Sequence, residues 1–306
     1  MKTRTAGIGL AFMTAIVSGV SIFVNGHAVK HFHDATVYTT AKNAVAGVLL
    51  LALAVTLLGR KQSIGDVRGV RSTTRLQWLS LVAVAVIGGS VPFVLFFEGL
   101  ARAQATQASF IQKTMIVWVA LLAVPLLKEK FRWPHALAIA LLIVGQAWLI
   151  GSAGTITFGT GEAMILGATL LWAVEVVFVK HLLSALSVGT LAAARMGGGT
   201  VLLLGWLAVN GKLGALTSLD ATQLRWVLLT GLLLTAYVAT WYAALARAQA
   251  IDVTAVLVFG AVITALLSGA ADGTPINAIG TVLITAGAAL IATVAVRRPA
   301  AEVAVT

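Results

Sequence analysis

The chain has 306 residues, of which 59% are hydrophobic and only 10% charged, with a mean hydropathy of +1.00. Soluble domains run at about 45–50% apolar and 25% charged, so the composition is that of an integral membrane protein. The absence of cysteine excludes disulfides, thiolate chemistry and Cys-ligated zinc or iron–sulfur sites. The net charge of +11 does not point to nucleic acid, because the basic residues are scattered over short loops between apolar runs rather than gathered on one soluble face.

Segments long enough to cross a bilayer, about 20 mostly apolar residues each, fall at 6–25, 36–58, 78–100, 104–127 and 135–152. Five more follow at 161–180, 187–209, 225–245, 250–270 and 275–296. Lys2 and Arg4 before the first run give it the look of a signal peptide. No soluble mature domain follows, so it is read as an uncleaved first helix.

With the N-terminus in the cytoplasm, fourteen Lys and Arg residues lie inside, among them Lys128, Lys130, Arg132, Lys180 and Arg247. Only four, Lys30, Arg102, Lys212 and Arg225, then lie outside. That asymmetry favours two cytoplasmic termini. The basic loop 59–77 is expected to be a solvated element that fixes topology.

The hexapeptide L-A-R-A-Q-A occurs at 100–105 and again at 245–250. Gly7 and Gly161, Lys42 and Arg195, and Gly145 and Gly287 match at similar offsets, as an old duplication with loop deletions would leave them. The chain therefore divides into two five-helix repeats, 1–152 and 153–306. An odd number of spans in each inserts the second upside down. The expected fold is thus all-α, with ten transmembrane helices as two inverted repeats (5+5). Secondary transporters often use this construction and bind substrate near the midplane, where the halves meet.

Polar residues inside spans are costly unless they face a bundle interior or cavity. Thr14, Ser18, Ser21 and Asn25 share one face of the first helix, and Thr36, Thr40 and Asn43 one face of the second. Arg102, Thr106, Ser109 and Lys113 form a third stripe. Such stripes also serve simply to hold helices together. Counting residues from the ends of their spans places Lys113 and Glu175 near mid-depth, which makes them candidates for a buried pair, structural or functional. Glu98 and Lys42 lie nearer the outside and Arg195 nearer the inside. Being repeat-related, Lys42 and Arg195 are candidate gates or symmetry-matched anchors, with snorkelling as the plain alternative.

Trp172, one turn before Glu175, and Tyr237, Thr240 and Trp241 on one face of the eighth span suit a small organic ligand, although helical aromatics more often only pack. Gly88, Gly89, Ser90 and Pro92 weaken the third span, as Gly197, Gly198 and Gly199 weaken the seventh. These are hinges or close helix contacts. His27, His31, His33 and Asp34 cluster after the first helix; a hydrated loop is expected there rather than a metal site. The chain has no G-x-x-x-x-G-K-[ST], H-E-x-x-H or G-x-S-x-G. Neither ATP hydrolysis nor a known hydrolase site is expected, nor any cofactor, and uphill transport would draw on a gradient.

The L-A-R-A-Q-A junctions, P-L-L-K-E-K at 125–130 and L-L-W-A-V-E-V-V-F-V-K at 170–180 make the chain similar to the drug/metabolite transporter superfamily, in particular to its EamA-type ten-helix members. The resemblance covers nearly the whole chain. It implies an inner (plasma) membrane carrier, multi-pass, with a central cavity lined by helices 1, 3, 4, 6, 8 and 9, exporting amino acids or other small metabolites. It also implies a helix-end structural role for Glu129. The second half departs at A-A-D-G-T-P, 270–275, where Asp272 is the only acid. The partners expected are a small-molecule metabolite and the lipid bilayer. Oligomeric state is open, as is a coupling proton, for which Glu98, Glu175 and Asp252 are the available acids. The rival readings are a membrane enzyme using Glu98 or Glu175 and a non-transporting scaffold.

Overall fold

The computed structural model describes residues 2–59, 74–151, 158–273 and 275–297. Most of the basic loop 59–77 and the expected boundary between the halves at 152–153 lie outside the described residues. Within them all regular structure is helical. Ten long helices follow one another: α1 (Lys2–Ala28), α2 (Ala35–Gly59), α3 (Arg75–Leu100), α4 (Ala105–Leu127) and α5 (Trp133–Gly151). Then come α6 (Thr160–Leu182), α7 (Val188–Val209), α8 (Ala221–Leu245), α9 (Ala250–Asp272) and α10 (Ala278–Arg297). Nine are long and apolar enough to cross a membrane, and α5 carries a shorter apolar stretch, Trp133–Leu149.

The loops supply the helix ends with partners. Asp34 accepts from the amides of Thr36 and Val37 at the start of α2. Thr74 with Gln77 and Asp220 with Gln223 form capping boxes on α3 and α8, satisfying amides that have no intrahelical acceptor. The outer surface is apolar, with Val201 68% and Leu232 59% exposed. Such side chains face hydrocarbon at no cost, whereas in water they would form an aggregation-prone surface.

Four helices depart from regular α geometry. α3 passes through a π turn at Ala85–Ser90 and α7 through another at Ala194–Gly198, at the two weakened stretches read from the sequence. α4 is interrupted at Thr114 and α9 at Val258–Phe259, and no such breaks are expected from the sequence. At the first, the Thr114 hydroxyl donates back to the Ile111 carbonyl at 2.7 Å, a competition that bends helices.

Close crossings rely on missing side chains, the usual device where helices associate without a hydrophobic drive. A Cβ on Gly89 would fall into the backbone of Arg195, and one on Gly199 into that of Gly89, so α3 and α7 touch backbone to backbone at their π turns. Gly19 of α1 and Gly260 of α9 make a similar contact. The repeated hexapeptides pack in a reciprocal way. Gly7 lies against Arg247, and its counterpart Gly161 lies against Arg102.

Candidate functional site

Between the helices lies a small cavity of about 50 Å³, tighter than the usual small-molecule site. Its wall includes Ser18, Ser21 and Asn25 of α1, Lys42 of α2, Gln112 of α4 and Arg195 of α7. The apolar side is Phe93, Phe96 and Phe97 of α3, Trp172 of α6, and Leu234 and Tyr237 of α8. The polar stripe of α1 thus splits in use. Thr14 holds α1 to α8 through Thr240 at 2.8 Å, while the next three positions face the cavity. α2 and α7 contribute to the wall and α9 does not, unlike the set of lining helices implied by the resemblance.

Backbone chemistry in α3 explains part of the arrangement. Pro92 has no N–H, so it cannot donate to the carbonyl of Gly88 as a regular helix would require. Two side chains converge on that oxygen instead, Trp172 Nε1 at 3.1 Å and Arg195 Nε at 3.2 Å. Asn43 Nδ2 reaches the adjacent Gly89 carbonyl at 3.4 Å. In a bilayer an unmet backbone group costs several kcal/mol, so these bonds fix α6, α7 and α2 against the distorted turn.

Lys113 and Glu175, the candidates for a buried pair, have separate partners. Glu175 is completely buried and faces Arg195, whose Nη1 is 3.4 Å from its Oε2. The Tyr242 hydroxyl donates to its other oxygen. The reason is steric: Gly88 leaves open the volume that Glu175 occupies, since a Cβ there would sit 2.7 Å from its Cγ. Lys113 turns the other way, donating to Ser18 Oγ at 2.7 Å and Gln112 Oε1 at 2.8 Å.

Lys42 is 2% exposed and has no carboxylate partner among the described residues. Its Nζ lies 3.5 Å from the Phe97 ring centroid, 5.4 Å from that of Phe93 and 5.6 Å from that of Tyr38. Asn25 Oδ1 is 3.3 Å away and also accepts from the Tyr38 hydroxyl at 2.5 Å. Arg195 approaches the Phe93 ring as well, at 5.9 Å. Lys42 and Arg195 therefore converge on one aromatic side chain.

Of the other residues singled out from the sequence, Trp241 is buried behind the wall and stacks on Tyr237 with centroids 6.0 Å apart. Glu98 does not line the cavity. It pairs with Arg102 at 2.6 Å and accepts from Thr36 at 3.2 Å, at the end of α3. His27 meets Asp272 at 3.2 Å and His31 stacks on Trp226. Asp34 pairs with Lys212 at 2.5 Å. Burial would raise its carboxyl, but Lys212 and the Val37 and Thr36 amides hold it below its ordinary value.

Phe93, Phe96, Phe97, Tyr38, Gln112 and Tyr242 are cavity or cluster residues that sequence reasoning missed. A signal existed for the first three, which recur at helical spacing on the face of α3 that follows Pro92. Glu129 has the helix-end role that the resemblance implies. Lys128 ends α4 in the left-handed region, φ 51°, and Glu129 accepts from the amides of Ala250 and Ile251 at 2.7 and 3.0 Å, capping α9. Burial holds its carboxyl above the ordinary value, against the opposing pull of those amides and Lys180.

An all-helical bundle with an apolar exterior and a buried cationic cavity defines a multi-pass membrane protein built as transporters are. The EamA-like transporter family model matches the chain twice, over residues 5–151 and 159–293. The chain belongs to that family, within the drug/metabolite transporter superfamily.

An uncharacterized transporter of Archaeoglobus fulgidus is 28% identical over 206 residues, 66% of this chain and 70% of the relative. Two others, from Synechocystis and Methanothermobacter thermautotrophicus, are each 26% identical. The matches cover 46% and 56% of this chain, and 42% and 53% of those relatives' lengths. A solved crystal structure aligns with a TM-score of 0.72 at 18% identity, over 94% of this chain and 97% of the other, a likeness of fold.

Proposed function

We propose that the protein is a secondary carrier of the plasma membrane that exports a small metabolite by alternating access. In this reading all ten helices span the bilayer, α5 included, both termini are cytoplasmic, and the halves 1–152 and 153–306 are inverted repeats that rock about the cavity. The observation that carries it is the cavity itself, walled by polar, basic and aromatic side chains from both family-matched segments, with Lys42 in one and Arg195 in the other. The reciprocal contacts of Gly7 with Arg247 and Gly161 with Arg102 favour a pseudo-twofold exchange of the halves. The concentration of basic residues at one end of the bundle supports the orientation. Asn25, Lys42, Trp172, Arg195 and Tyr237 form the substrate-contacting set, with Asn43, Lys113, Glu175 and Trp241 behind it.

Counterflow in proteoliposomes tests the reading. Vesicles loaded with a transported solute should accumulate the labelled solute transiently, in a protein-dependent manner that Arg195→Ala abolishes. Folded protein that moves no solute of a broad metabolite panel would sink it.

A further inference from the structure

We propose that the cavity is built for an organic anion: a small carboxylate with an apolar or aromatic body, bound through its carboxylate at Lys42. The inference rests on the carrier reading and names its substrate class.

Charge bookkeeping around the cavity motivates it. Two basic side chains, Lys42 and Arg195, line the wall, and no acid among the described residues does. Arg195 has Glu175 behind it at 3.4 Å. Lys42 has no acid behind it among the described residues: its Nζ has one amide oxygen at 3.3 Å and an aromatic face at 3.5 Å. A second buried lysine, Lys113, 1% exposed, donates to Ser18 and Gln112, both cavity residues.

Buried charges are costly unless paired. A basic side chain held over an aromatic ring at a cavity wall, with no acid beside it, leaves a place for a negative group. A carboxylate entering beside Asn25 accepts from Lys42, favouring its protonated form, while Nζ stays over Phe97. The rest of the wall is Phe93, Phe96, Trp172, Leu234 and Tyr237, which suits an apolar or ring-bearing body. An ammonium group on the ligand would find no carboxylate in the wall. Cations, and zwitterions to a lesser degree, are disfavoured by the same arrangement.

The test titrates purified full-length protein with four probes sharing one body: 3-phenylpropionate, 3-phenylpropionamide, phenylalanine and 3-phenylpropylammonium. Butyrate, valerate, 2-oxo acids and indole-3-acetate extend the carboxylate series, and the readout is the ligand-induced rise in thermal midpoint. At least one carboxylate should bind saturably, with its neutral amide and ammonium analogues about 10-fold or more weaker. Lys42→Gln should weaken the carboxylate about 10- to 100-fold, the scale of one charge-assisted hydrogen bond, while Lys42→Arg should retain most of it.

Equal binding of the ammonium or amide probe, no binding by any carboxylate, or an unchanged affinity in Lys42→Gln would overturn the proposal. If Lys42→Gln does not fold, the wild-type comparison of each carboxylate with its amide decides alone. Counterflow separates the two levels. Flux of a cation with none for carboxylates would leave a carrier and remove the anion site. Carboxylate binding without any flux would leave the site and remove the carrier.

Discussion

Glu175 and Arg195 meet at 3.4 Å across the α6–α7 interface, one fully buried and the other 3% exposed. Removing one partner of such a pair leaves the other charge in low dielectric, a loss of about 3–5 kcal/mol, whereas replacing both is far milder. Glu175→Gln should therefore lower the unfolding midpoint strongly in detergent, and Glu175→Gln with Arg195→Met should recover much of the loss. Strict additivity of the two single effects would show that the residues do not interact. Lys113→Glu, by contrast, should give no rescue of Glu175→Lys.

The π turns of α3 and α7 touch at Gly89 and Gly199, where an added Cβ meets backbone that has no soft neighbour to displace. Overpacking of this kind costs about 1–3 kcal/mol or more. Gly89→Ala and Gly199→Ala should each lower the thermal midpoint. Gly205, in the same helix with nothing within 4 Å, is the control, and Gly205→Ala should be neutral or gain up to ~1 kcal/mol from helix propensity. Equal behaviour of all three would contradict the crossing.

Glu129 bridges α4 to the first turn of α9 through two amides. Glu129→Ala orphans both and should cost about 1–2 kcal/mol, the usual range for a lost cap. The carboxyl is held above its ordinary value, so the folded state keeps this proton at a pH where the unfolded chain has released it. The stability this contributes is complete below the unfolded value of 4.5 and declines as pH rises through the folded one. A scan of midpoint against pH should show that component in the wild type and lack it in Glu129→Ala.

The absence of cysteine allows a clean topology experiment. Ser184, after α6, and Ser218, before α8, are exposed at opposite ends of the bundle. With cytoplasmic termini, a membrane-impermeant maleimide added to intact cells should label Ser218→Cys and spare Ser184→Cys until the membrane is opened. The reverse pattern would invert the orientation.

Much of this molecule is legible along the chain, because hydropathy and helical period are properties of one segment at a time. The spans at 6–25 or 161–180 need only a count of apolar residues. Ser18, Ser21 and Asn25 share a face by the 3.6-residue turn alone. Glu129's place at a helix end is what the family resemblance implies.

Partnership between helices was decided only by the tertiary structure. Depth in the bilayer made Lys113 and Glu175 equal in height, but height says nothing about the direction in which a side chain points around the bundle. That direction came from Gly88, which opened room for Glu175 on α3, and from Pro92, whose missing N–H left a carbonyl for Trp172 and Arg195 to meet. Lys42's ring of Phe93, Phe97 and Tyr38 is drawn from two helices. Such a site depends on helix rotation and crossing, which close packing at glycines sets and a one-dimensional pattern does not contain.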